Sequence, residues 1–220
     1  MNFLRYDSDF MMGISKVTDY VLLNLLCVLF CLPVVTAGAA VTATYYVSMK
    51  LVRGEEPSVW KSFLKSFKEN FKQATIIWLF ALFLICFLTY DWYLLWNTQQ
   101  ISTDSAMCIA LLVVSVLVVL AVLSVFPFLA RFQVTIKAAI RNAFWFSILH
   151  IPQLLLVIIL NILTYYISFH YMEWFILIWV IGSGLSLYYA SRMFVKEFAK
   201  LEPKKEDTDT QKNQDAEEVL

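Results

Sequence analysis

Two histidines, four cysteines and seventeen acids are the groups this chain offers for catalysis or metal binding. Their spacing argues against both. His150 and His170 have no sequence-near ligand set, so packing or interfacial roles are expected of them rather than metal binding. Cys27 and Cys31 lie four apart, on one helical face and too far along the axis for an easy disulfide. With Cys86 and Cys108 they fall in apolar stretches and read as small packing residues. No nucleophile motif, phosphate loop or paired carboxylate is found. Asp91 and Glu173 stand at the ends of apolar runs, and no ionisable residue sits near the middle of one. Proton- or sodium-coupled transporters carry such a residue, because burying it is costly without a purpose. The deepest strong polar side chains are Asn24 and Asn161, suited to hydrogen bonding between helices. No catalytic residue, cofactor, metal or nucleic-acid partner is therefore expected.

The elements that would carry these residues are membrane helices. Of 220 residues 60% are apolar and 15% charged, with a mean hydropathy of +0.70. A soluble domain of this size needs more polar surface. The uncharged runs are Tyr20–Met49, Gln73–Tyr90, Ser105–Ala130, Asn142–Tyr171 and Trp174–Ser191. Each is at least about as long as a hydrocarbon core of roughly 30 Å requires; the fourth opens with an interfacial turn before a membrane portion from about Ile151, and the first is longer than one helix needs. Arg5, Asp7, Asp9, Lys16 and Asp19 interrupt the N-terminal stretch, which does not read as a signal peptide.

Charge orients the runs. The connections 97–104 and 168–173 lack Lys and Arg, whereas 50–72, 131–141 and the segment after Ser191 are rich in them. Basic residues collect in the cytoplasm, so the latter three are placed inside. The expected fold is all-α, a polytopic transmembrane bundle over 1–200, followed by a disordered charged cytoplasmic tail over 201–220. If the chain reverses at "LPVVTAG", it crosses six times with both termini inside, and every Lys and Arg is cytoplasmic. Pro33 would end the first helix, Gly38 would allow the reversal and Thr36 would cap a short second helix. The alternative is five crossings, with Tyr20–Met49 passing once and the N-terminus outside.

Two cytoplasmic stretches are amphipathic. Trp60, Phe63, Leu64, Phe67 and Phe71 recur at helical spacing, with Lys61, Lys65, Lys68 and Lys72 opposite. This is the pattern of a helix lying in the membrane interface. Phe132, Ile136, Ala139, Ile140 and Phe144 form a weaker second stripe that includes Arg141 in its basic segment. Either surface could meet lipid or a partner protein. Gly182, Ser183, Gly184 and Ser186 make a small-residue patch suited to close helix packing. Tyr90, Trp92, Tyr93, Trp96, Tyr165, Tyr166 and Trp174 gather at the outer side. They could stack oligosaccharide rings, although any membrane protein carries such a belt.

The stretch "LLNLLCVLFCLPVVTAGAAVTATYYVSMKLVRGEE", then "VWKSFLKSFKENFKQA", "FPFLARF" and "SRMFVKEF", resembles the YesL family of bacterial membrane proteins over about residues 10–198. The resemblance implies a place in the cell membrane of a Gram-positive bacterium. It also implies a non-catalytic subunit accessory to a carbohydrate ABC importer, in contact with its permease subunits and acting in assembly, gating or substrate handling. Two other functions are compatible with the residues: a stand-alone transporter or channel for a neutral solute, and a scaffold or regulator coupled to a sugar sensor.

Overall fold

Long apolar runs without an internal backbone partner elsewhere must satisfy their own amides, and in lipid that means helix. The computed structural model describes residues 9–55, 58–97, 106–132 and 134–201, and among these every regular element is helical. In chain order they are α1 (Asp9–Cys31), α2 (Ala37–Val52), α3 (Val59–Asn97), α4 (Ala106–Arg131), α5 (Ile136–Leu149), α6 (Ile151–His170) and α7 (Phe175–Leu201). Short 3-10 turns at Val34–Thr36 and Met172–Trp174 precede α2 and α7. Among the described residues, four helical segments are long and apolar enough to cross a membrane: Val59–Asn97, Ala106–Arg131, Ile151–His170 and Met172–Lys200. The tail after Leu201 lies outside the described residues.

The segment Tyr20–Met49 does not run straight through. α1 ends at Cys31, and α2 returns beside it, with Ser48 donating to the Tyr20 hydroxyl at 3.3 Å. Pro33 has an extended backbone and cannot continue α1. Thr36 does not cap α2 with its side chain. Its hydroxyl turns back instead, donating to the carbonyls of Phe30 (2.6 Å) and Pro33 (2.8 Å). The Trp78 indole of α3 donates to Val34 O at 2.7 Å. The carbonyls of Phe30, Pro33 and Val34 are thus satisfied from within the protein, as a reversal in an apolar medium favours.

α2 is the most enclosed helix. Its composition, AGAAVTATYYVSMKLV, is dominated by small residues, which let neighbouring backbones come close. It packs against α1, α3, α4 and α7, and Ala39, Ala40, Ala43 and Val47 have no exposed surface. Gly38 shows the need most plainly: a Cβ there would lie 2.6 Å from Trp78 Cβ and 2.7 Å from Ala74 O. The buried hydroxyls of Thr42 and Thr44 bond back to Gly38 O and Ala40 O, both at 2.8 Å.

One expectation changes. The amphipathic stretch beginning at Val59 is no separate interfacial helix. It is the first part of α3, which runs for 39 residues without a break. Phe63 is fully buried, and Phe30 packs on Phe63 and Phe67 with centroids 5.3 and 4.9 Å apart. The middle of the stripe, Phe63, Leu64 and Phe67, therefore packs on protein, against α1 and α2, while Trp60 and Phe71 at its ends stay exposed. The α1–α2 reversal packs on the middle of α3. It contacts Trp78 and, through the Trp78–Phe126 ring pair, the C-terminal part of α4. Beyond Trp78, α3 continues to Asn97, about 28 Å further at 1.5 Å per residue.

Candidate functional site

The deep polar residues are used to join helices. Asn24 Nδ2 donates to Val180 O of α7 at 3.2 Å. Asn161 Nδ2 donates to Ser186 Oγ at 2.7 Å and to Val157 O within α6 at 2.8 Å. Gly184 is buried beside Asn24, where a Cβ would be 3.3 Å from the amide nitrogen. Gly182 faces Thr164, whose hydroxyl would lie 2.7 Å from a Cβ at that position. Asn24, Asn161, Gly182 and Gly184 thus form one seam that binds α1 and α6 to α7. Cys27 and Cys31 have their sulfurs 3.9 Å apart and are free thiols.

At the basic end, three arrangements gather charge. Glu55 closes the α2–α3 connection, accepting from Arg53 Nε at 2.8 Å and pairing with Lys50 at 3.6 Å. Partial burial raises the Glu55 carboxyl, but the Arg53 hydrogen bond and the Arg53 and Lys50 charges outweigh it and hold the group below the usual carboxylate range. Farther along, His150 Nε2 meets Glu197 Oε2 at 3.2 Å, and Glu197 also pairs with Lys200 at 2.8 Å. The His150 ring stacks on Phe146 at 4.2 Å. This cluster fastens the α5–α6 junction to the end of α7.

The third arrangement is a half-open polar cleft of about 520 Å³, a volume typical of small-ligand sites. One wall is a face of α3, where Lys65, Glu69, Asn70 and Gln73 follow one another at i, i+4, i+5 and i+8. The other is the end of α4 with the α4–α5 connection, contributing Arg131 and Thr135 as its polar groups. Tyr46 of α2 also lines the cleft, and Lys50 lies over its ring at 5.0 Å. Lys65 and Glu69 are 4.0 Å apart with side chains 65% and 52% exposed, so their mutual attraction is weak and both remain available.

The residues singled out from sequence are distributed across these features. Lys65 lines the cleft, and so does Phe132. Lys61, Lys68 and Arg141 are exposed, and Ile136 is half-buried against the core. Trp60 and Phe71 are exposed, whereas Leu64 and Phe67 join Phe63 in partly buried packing. Pro33 ends α1, and Gly38 is where α2 meets α3. Sequence reasoning missed Glu69, Asn70 and Gln73 as a group, along with Thr135 opposite them. Their spacing on α3 was a usable signal, but an exposed polar line reads as a solvated face until α4 is laid across it.

No curated protein and no solved structure matches this chain. Residues 20–92, from within α1 through the reversal and α2 to the outer part of α3, match the family described as "Protein of unknown function, DUF624".

Proposed function

We propose that the protein is a non-catalytic integral membrane subunit that acts by association, as an accessory to a carbohydrate ABC importer. The observation that carries the association is the use of its polar groups. Asn24 and Asn161 are committed to bonds that hold helices together, while the open polar features collect at the basic end. A protein built this way has a rigid membrane portion and a charged face to offer. The choice of partner rests on the resemblance to YesL proteins, which are DUF624 members.

The membrane arrangement we infer has four crossings, by α3, α4, α6 and α7. α1 and α2 form a hairpin that enters from the cytoplasmic side and reverses within the lipid. Both termini are cytoplasmic, and all seventeen Lys and Arg lie on that side, so the charge rule is satisfied without six crossings. The reversal supports this reading: Leu32, Val34 and Val35 are exposed apolar residues at its tip, and its carbonyls are satisfied by Thr36 and Trp78. Such a tip is costly in water and at ease in hydrocarbon.

Gentle purification of the tagged full chain from its native membrane tests the function. Stoichiometric permease and ATPase chains are expected to remain attached. Their absence, with flux of a neutral solute into liposomes containing this chain alone, would replace the subunit reading with a transporter.

A further inference from the structure

The cleft between α3 and the α4–α5 connection has no role in the subunit reading, yet its chemistry is directional. Lys65 from one wall and Arg131 from the other supply two cations across about 520 Å³ of open volume. Thr135 precedes the first turn of α5 with an extended backbone and makes no side-chain cap. Thr135 itself lines the cleft, and its hydroxyl can donate there beside Arg131. Two cationic side chains and a hydroxyl donor at one place favour a phosphate.

A bare phosphate is not the best fit, because Glu69 stands in the same wall. Next to it, Asn70 uses its Nδ2 on Ser66 O at 3.0 Å and Ser66 Oγ at 3.2 Å. The remaining capacity of that amide is its carbonyl acceptor. Glu69 and Asn70 thus form an accepting strip that hydroxyl groups would satisfy, with Gln73 able to give or accept at its end. We propose that this cleft binds a phosphate ester bearing free hydroxyls. Two sources share that chemistry: the headgroup of a glycerol-phosphate lipid, and a soluble polyol or sugar phosphate. The cleft lies where the charged part of α3 gives way to the uncharged run beginning at Gln73, a depth that both could reach.

The full chain in lipid nanodiscs, offered phosphatidylglycerol and phosphatidylcholine in equal amounts, is read by native mass spectrometry. In detergent, sn-glycerol 3-phosphate is titrated against the unfolding midpoint. Preferential retention of phosphatidylglycerol without a response to glycerol 3-phosphate identifies the lipid source, and the reverse pattern identifies a soluble ester. Lys65→Gln with Arg131→Gln is expected to weaken the response about tenfold or more, the loss typical of charge-assisted hydrogen bonds. Lys61→Gln with Lys68→Gln removes equal charge from exposed positions of α3 that do not line the cleft, and should leave the response intact. Glu69→Gln should reduce the preference for phosphatidylglycerol over phosphatidic acid, which lacks the hydroxyls. Arg131 is engaged within the fold, so Lys65→Gln alone, at a 65% exposed side chain, guards against misfolding of the pair. Equal retention of phosphatidylcholine with no response to glycerol 3-phosphate overturns the proposal. So does an equal loss in the Lys61/Lys68 pair, which would mean general attraction to the basic end.

Discussion

At Gly182 the missing side chain is what admits Thr164 of α6. Gly182→Ala should destabilise the protein by about 1–3 kcal/mol, the usual cost of overfilling a packed site. Thr164→Ala in the same chain should restore most of that loss, because the clash is with the threonine side chain. Thermal unfolding of the two single variants and the double variant measures the coupling; additive losses would show that the two residues do not meet. Asn161→Ala belongs to the same seam and removes the bond to Ser186. Its expected cost is smaller, about 0.6 kcal/mol and at most about 1.7, as membrane side-chain hydrogen bonds generally are. Both residues stood out in the sequence, as a glycine in a small-residue patch and as a deep amide. Their partners did not, since Thr164 and Ser186 lie on neighbouring helices and only packing brings them into reach.

The continuity of α3 makes its own prediction. Phe63 and Ser66 are buried in its first part, and Ala74, Ile77 and Ala81 in its middle. A single alanine inserted after Lys72 turns everything beyond by about 100° relative to everything before. A hinge between an interfacial helix and a spanning helix would absorb the insertion. An unbroken helix cannot, and a loss of about 2–5 kcal/mol is expected, comparable to unpacking a buried apolar side chain. An unchanged unfolding midpoint would restore the two-helix description. The periodicity of Trp60, Phe63, Leu64, Phe67 and Phe71 correctly announces one apolar face. It is silent on what covers that face, because lipid and the α1–α2 hairpin are equally apolar neighbours.

For the whole molecule, the depth of the reversal is the decisive quantity. Val35 is 50% exposed at the tip, and Trp96 is 85% exposed near the far end of α3. With the native cysteines replaced, Trp96→Cys should react with an impermeant maleimide added to intact cells. Val35→Cys should not, because the proposed four-crossing arrangement puts the hairpin tip in lipid below the outer surface. Equal labelling of the two positions would return α1 and α2 to full crossings.

Composition and charge determined that this chain is helical and apolar over most of its length, with its Lys and Arg confined to the segments between the long uncharged runs and at the chain ends. Those properties follow from local chemistry: backbone amides must be satisfied along each run, and charged side chains stay near water. "LPVVTAG" likewise determined that the chain turns, since Pro33 cannot carry α1 onward. Where the turn sits, and which side chains it brings together, was decided by tertiary packing. Gly38 lets α2 press against Trp78 and Ala74, and Trp78 in turn closes the reversal through Val34. The cleft has the same origin. Lys65 and Arg131 are 66 positions apart in the chain, and a count of charges has no term for the distance between them.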